Sequence, residues 1–187
     1  MDVTDITLIQ RTLSGDKQAF VALFDRHYAL LYSLAFSILR DRDRVQDVLQ
    51  DGFIQIYQHL GSLKNPAKFR AWAYTIIKRQ CLGVVKELRS GPINISDLTE
   101  SEKVKYTQSL SSDTTTADLM HREQSGLIRQ AVYQLPLKYR EVAVLFFLED
   151  KKYQDIADIL GITYFAAEKR LIRAKQKLQA QLKELIK

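Results

Sequence analysis

The chain is predicted to be all-α, two small helical domains joined by a flexible linker, and three observations predict this. Apolar residues recur at three- and four-residue steps along most of the 187 residues. A Ser-, Thr- and Asp-rich stretch without that period separates two such regions, and strand-length alternation with Gly-rich turns is absent. Hydrophobic residues make up 46% of the composition against only 3 Pro and 7 Gly, so there is material for packed cores and little to break helices.

The elements follow in order. From Thr4 to Leu39, Ile6, Ile9, Leu13, Phe20, Leu23, Phe24, Tyr28, Leu31, Tyr32, Ala35 and Leu39 keep helical spacing, interrupted at Ser14-Gly15-Asp16. A helix from about Asp43 puts Val45, Val48, Leu49, Phe53, Ile56, Tyr57 and Leu60 on one side and Asp47, Gln50 and Asp51 on the other. Residues 61–66 break the pattern, and a further helix from about Ala67 to Leu88 carries Phe69, Trp72, Ala73, Ile76, Ile77, Val84 and Val85. These four helices form a first domain at 1–89. The linker is placed at 90–118, opening on Gly91-Pro92 and including SSDTTTAD. The second domain, 119–187, resumes helical pattern to Gln134, stops at Leu135-Pro136, continues from about Lys138 to Leu148, and ends in two short helices about Gly161.

Charge is distributed in blocks. Residues 61–90 carry seven cations and one anion, and residues 161–187 seven and two, whereas residues 1–60 (six and eight) and 91–120 (two and five) are net acidic. Two basic blocks touching one polyanion would explain the arrangement, and plain solvated faces would explain it equally. The single Cys81 excludes an intrachain disulfide, no secretory leader pattern opens the chain, and the longest apolar run, Val142 to Leu148, is far short of the ~20 residues of a membrane helix, so a cytoplasmic location is expected.

The segment YQDIADILGITYFAAEKRLIRAKQKL, Tyr153 to Leu178, has the parts of a helix-turn-helix. Ala157 is small where the second helix crosses, Gly161 suits the tight turn, and Ile162 anchors it. Burying Ala167, Leu171, Ala174 and Leu178 turns Glu168, Lys169, Ile172 and Arg173 outward, where cations meet guanine acceptors and a carboxylate accepts from cytosine or adenine. Arg170, Lys175 and Lys177 are the natural phosphate contacts. The alternative is an ordinary pair of packed helices with a glycine cap; the joint Ala, Gly and apolar spacing favours DNA.

Taken together, the chain resembles the extracytoplasmic-function (group IV) sigma factors of the sigma-70 family, across both domains and in order. The resemblance is carried by Gly15-Asp16, Ala19-Phe20, Leu23, Tyr28, Leu31 and Ala35; by Asp47, Gln50-Asp51, Phe53 and Tyr57; by Phe69, Trp72 and Ile76; and by Leu135-Pro136, Arg140, Ile156-Ala157, Leu160-Gly161, Leu171 and Arg173-Ala174. It implies an alternative sigma factor that brings RNA polymerase core to promoters, without enzymatic activity, cofactor or small-molecule substrate. Asp47, Gln50, Asp51 and Gln55 would grip the clamp helices of the largest polymerase subunit, an acidic patch suiting a cationic protein partner and repelling DNA. Asn65, Lys68, Phe69, Arg70, Lys78 and Arg79 would handle the minus-ten element, where a base leaves the stack and the strands part. Trp72 is read as core, while Phe69 stays open between core and base stacking. Glu168, Lys169, Arg170, Ile172, Arg173 and Lys175 would read the minus-thirty-five element. An anti-sigma protein is the expected inhibitory partner.

The chain also departs from the family pattern. Phe165-Ala166-Ala167 stands where many relatives have Gly-Thr-Val, Arg79 and Gly83 replace the usual Asn and Asp, and Asp51 replaces the usual Glu. The three histidines, His27, His59 and His121, are scattered, no Cys/His ligand spacing occurs, and no glycine-rich phosphate loop is present. Two other readings stay open: a free-standing dimeric helix-turn-helix regulator, and a sigma-like helical regulator that binds a partner without opening DNA.

Overall fold

The structure, a computed structural model, describes residues 3–90 and 128–185. All regular structure among the described residues is helical. In order these are α1 (Asp5–Leu13), α2 (Lys17–Leu39), α3 (Arg42–His59), α4 (Phe69–Ser90), α5 (helical over 128–134), α6 (Leu137–Ala143, prolonged by a π-turn Val144–Leu148), α7 (Tyr153–Leu160) and α8 (Tyr164–Leu185). The expected linker falls almost wholly outside the described residues, as does the expected helical start near Leu119.

Local chemistry sets the early boundaries. The Thr4 hydroxyl accepts from Thr7 N–H at 3.3 Å to open α1. The Asp16 carboxylate accepts from the N–H groups of Gln18 and Ala19 at 3.0 and 3.2 Å to open α2, and Asp41 accepts from Arg44 N–H at 3.1 Å to open α3. Each cap satisfies N–H groups that the first turn of a helix leaves without partners. Gly15 at φ 96° supplies the reversal between α1 and α2. A 3-10 turn, Pro66–Lys68, capped by the Asn65 side chain on Ala67 N–H at 3.0 Å, leads into α4.

In the first domain α2 packs on α1, α3 and α4, and α3 on α4. The core there includes Leu23, Leu34, Leu49, Ile56, Phe69, Ile77 and Cys81, each essentially removed from solvent. Burial raises the Cys81 thiol to a pKa of about 12, so it is a small core residue and not a thiolate at neutral pH. The second domain packs α6 and α7 against α8 over Val142, Leu145, Ile156, Ile159, Ala167, Leu171 and Ala174. The last helix departs from expectation: instead of a short helix it runs 22 residues, because the apolar spacing continues past Leu178 to Leu182 through residues that favour helix.

The two halves touch. α4 packs on α7, and α2 on α6 and its π-turn. Tyr74 Oη donates to Glu141 Oε1 at 2.7 Å, and Lys78 Nζ lies 2.5 Å from the same oxygen. Arg140 donates to the Ser37 carbonyl at 2.6 Å and to the Leu135 carbonyl at 3.0 Å. Partial burial of its guanidinium lowers the Arg140 pKa to about 10, and it stays a cation at neutral pH. Phe36 meets Tyr133 edge to face at 5.8 Å.

Candidate nucleic-acid interface and partner surface

Three surfaces carry the candidate residues, and the first is the outer face of α3. Val45, Val48, Leu49, Phe53 and Ile56 turn inward, which leaves Asp47, Gln50, Asp51 and Gln55 exposed. Gly52 lies on the buried side, against Ile77 of α4. The polar face is not purely polar. Ile54 is 49% and Tyr57 44% exposed, and together with Phe20, Val21, Phe24 and Gln50 they border an apolar cleft of about 810 Å³ between α2 and α3. This apolar half escaped sequence reasoning. The signal was there in Val21 and Ile54, two large aliphatic residues that fall off the inward stripes of their helices.

The second surface is the turn before α4 and α4 itself. Asn65, Lys68, Arg70 and Arg79 are exposed. Lys68 lies 4.0 Å from Asp158 of α7 and Arg70 4.0 Å from Asp5 of α1, distances at which exposed partners attract one another weakly. Phe69 is corrected by the structure: it is 1% exposed, packed 5.2 Å from the His27 ring and 6.2 Å from the Trp72 ring, and offers no face to a base. The reason is geometric, since the first residue of α4 is where that helix leaves the turn and packs against α2. Trp72 is half-buried against the core. The cations of α4 divide between two sides. Arg79 shares an exposed row with Thr75, Leu82 and Lys86, whereas Lys78 lies on the side covered by the second domain, paired with Glu141.

The third surface is the helix-turn-helix. Gly161 ends α7 in the left-handed conformation, φ 63°, and donates to the Ala157 carbonyl. A Cβ at that point would meet the Ala71 Cβ of α4 at 3.5 Å, an ordinary contact, so it is the left-handed backbone and not lack of space that favours glycine there. Thr163 Oγ1 accepts from Ala166 N–H at 3.2 Å and fixes the first turn of α8. With Ala167, Leu171, Ala174 and Leu178 buried, Lys169, Ile172 and Arg173 face outward, while Glu168, Arg170 and Lys175 are half-buried. Lys175 Nζ sits 4.5 Å from the centre of the Phe146 ring. Arg173 hydrogen-bonds the Tyr139 hydroxyl, and that bond holds the phenol below its ordinary pKa. Phe165, outside the predicted set, is 60% exposed and carries Lys169 Nζ over its ring at 4.3 Å.

Among the described residues no group of three or more His, Cys, Asp or Glu could hold a metal ion, and no helix is long and apolar enough to cross a membrane.

Comparison with known proteins comes to the same two halves. The family models for sigma-70 region 2 and for sigma-70 region 4 match residues 23–90 and 125–178. The chain is similar to the ECF RNA polymerase sigma factor SigW of Bacillus subtilis, 26% identical over 95% of this chain and 96% of that one. It is also similar to the ECF RNA polymerase sigma-E factor of Escherichia coli, 28% identical over 99% of this chain and 97% of the relative. Among solved structures, CnrH in complex with the cytosolic domain of CnrY shares the fold at a TM-score of 0.67 and 24% identity, over 98% of this chain and 99% of that one. The sigma factor RpoE of Bartonella quintana, in complex with the anti-sigma factor NepR, shares it at 0.58 and 19% identity, over 88% and 96%.

Proposed function

The chain belongs to the sigma-70 family, as an extracytoplasmic-function sigma factor, and we propose that its three surfaces divide the work of promoter recognition. Such a subunit directs RNA polymerase core to particular promoters and is not itself an enzyme. The exposed face of α3, with Asp47, Gln50, Asp51 and Gln55, docks on the clamp helices of the largest polymerase subunit, the cleft beside Ile54 and Tyr57 supplying apolar contact under the charge. The turn at Asn65 and Lys68, with Arg70, Lys78 and Arg79 of α4, handles the minus-ten strand. The outward face of α8 reads the minus-thirty-five duplex, with Lys169, Ile172 and Arg173 toward the bases and Arg170 and Lys175 toward the phosphates. The setting is the cytoplasm, where polymerase works, and an anti-sigma protein is the inhibitory partner.

The observation that carries this reading is the coexistence, in one chain, of an exposed anionic face on α3 and an outward cationic face on α8. DNA would be repelled by the first and drawn to the second, so the chain needs a protein partner and a nucleic acid together. The test combines purified chain with polymerase core on genomic fragments and scores specific run-off transcripts. Transcripts that require both components are expected, and Asp47→Lys with Asp51→Lys abolishes holoenzyme assembly. Symmetric DNA binding without core, or assembly that survives the double charge reversal, would overturn the proposal.

A further inference from the structure

The first three turns of α8 expose more apolar surface than a reader of phosphates needs. Phe165 is 60% exposed, the most exposed large apolar residue among those described, and Ile172 is 47% exposed. Seven residues apart, they lie on the same side of the helix, with exposed Lys169 between them. An apolar, cationic, apolar row therefore runs along the face that a helix-turn-helix turns to its ligand.

Thr163 caps the turn that Phe165 belongs to, the neighbouring Tyr164 ring rests 5.9 Å from Tyr153, and Lys169 Nζ lies over the Phe165 ring at 4.3 Å. A phenylalanine side chain, with only two torsions, gives up little freedom when it is buried in an interface. The surrounding charge, seven cations against two anions over residues 161–187, selects a polyanion as occupant. On the major-groove edge of duplex DNA the apolar group on offer is the C5-methyl of thymine, and phenylalanine is among the side chains that contact it.

We propose that Phe165 is a specificity-determining residue that reads one or two thymine methyl groups of the upstream promoter element, with Lys169 stacked across its ring toward the adjacent phosphate or guanine. This rests on α8 as the minus-thirty-five reader and names what one part of that helix recognises.

Deoxyuridine differs from thymidine by the methyl alone, which makes the test direct. Holoenzyme reconstituted with the full chain is titrated against a promoter fragment that supports run-off transcription, with the thymines of the minus-thirty-five element replaced one at a time by deoxyuridine. At one or two positions the wild-type protein is expected to lose about fourfold in affinity, the value of one buried carbon. Phe165→Ala loses a similar factor on the unmodified fragment and no longer distinguishes thymidine from deoxyuridine there, whereas Phe165→Leu keeps part of the discrimination. A wild-type protein blind to every replacement, or a Phe165→Ala protein that still senses the same methyl groups, overturns the proposal. Scrambling the whole element separates the two levels: affinity that survives scrambling would remove α8 as the reader altogether, whereas lost affinity with no methyl effect removes only the role of Phe165.

Discussion

Asp5, in the first turn of α1, ties the start of the chain to the middle of α2. One carboxylate oxygen meets His27 Nε2 at 2.9 Å, the other accepts from Arg26 Nη1 at 2.7 Å, and Arg26 also donates to the Val3 carbonyl at 2.7 Å. The hydrogen bond from His27, with Arg26 adding to it and partial burial opposing, lowers the Asp5 pKa from 3.8 to about 2. The folded value lies below the unfolded one, so the stabilisation is fully present above pH ~4 and is lost as pH falls toward ~2; it amounts to about 2 kcal/mol. Asp5→Asn should therefore lower unfolding free energy by ~1–2 kcal/mol at pH 7, and urea titrations at descending pH should show the gap to the wild type closing near pH 2. A gap that stayed constant across that range would mean that the charge of Asp5 is irrelevant. Nothing in the sequence announced this cluster, because its members are 21 and 22 residues apart and no period links them. Phe69 teaches the same lesson from the opposite side. Its spacing to Trp72 fitted both a core position and a stacking platform, and only the packing against His27 decides for the core.

Helices are the scale at which the sequence was most readable. The stripes of α2, α3 and α4 and the turn at Gly161 follow from apolar periodicity and from one left-handed glycine, and the caps at Asp16 and Asp41 sit where the period breaks. What periodicity does not convey is how near two helices come. At Gly52, on the inner side of α3, a Cβ would overlap the Ile77 Cδ1 of α4, and Ile77 is wholly buried, so its tip makes way only by repacking within the core. Alanine in place of glycine favours a helix by up to ~1 kcal/mol, while overpacking a core costs ~1–3 kcal/mol, so the clash should win. Gly52→Ala is expected to destabilise the chain by about 1 kcal/mol net. Ile77→Val removes the overlapping carbon, so the double variant should recover that loss and behave better than the two single changes added together. Additive effects in thermal melts of the four proteins would show that α3 and α4 are not in contact through this pair. The consequence reaches the partner surface, since Asp51 and Gln50 stand on the reverse side of the same turn of α3 and inherit its position.

At the scale of the whole molecule, two bodies and two basic blocks were legible, but their docking was not. Glu141 sits in a segment, LPLKYREV, that reads as an ordinary helix start, yet it is 2% exposed and its partners Tyr74 and Lys78 come from the other domain. A carboxylate so far removed from water is stable there only because two donors converge on it, and each of them lies on α4. The pairing has a functional cost. Lys78 belongs to the set proposed for the minus-ten strand, and while it neutralises Glu141 it cannot neutralise a phosphate. Promoter DNA and Glu141 thus compete for one ammonium group, and the docked arrangement resists the separation needed for the two domains to reach two promoter elements. Glu141→Ala should release Lys78 to solvent and leave the Tyr74 hydroxyl without its acceptor, a loss of ~1–3 kcal/mol at the contact between the halves. Small-angle X-ray scattering of the free variant is expected to show a larger radius of gyration than the wild type, and calorimetry two separated transitions in place of one. Glu141→Gln, which keeps a hydrogen bond for Tyr74 but gives up the attraction to Lys78, should fall between them. If Glu141→Ala leaves both the dimensions and the single transition unchanged, the contact through Glu141 does not hold the halves together, and Lys78 is as available to DNA in the free chain as Arg79.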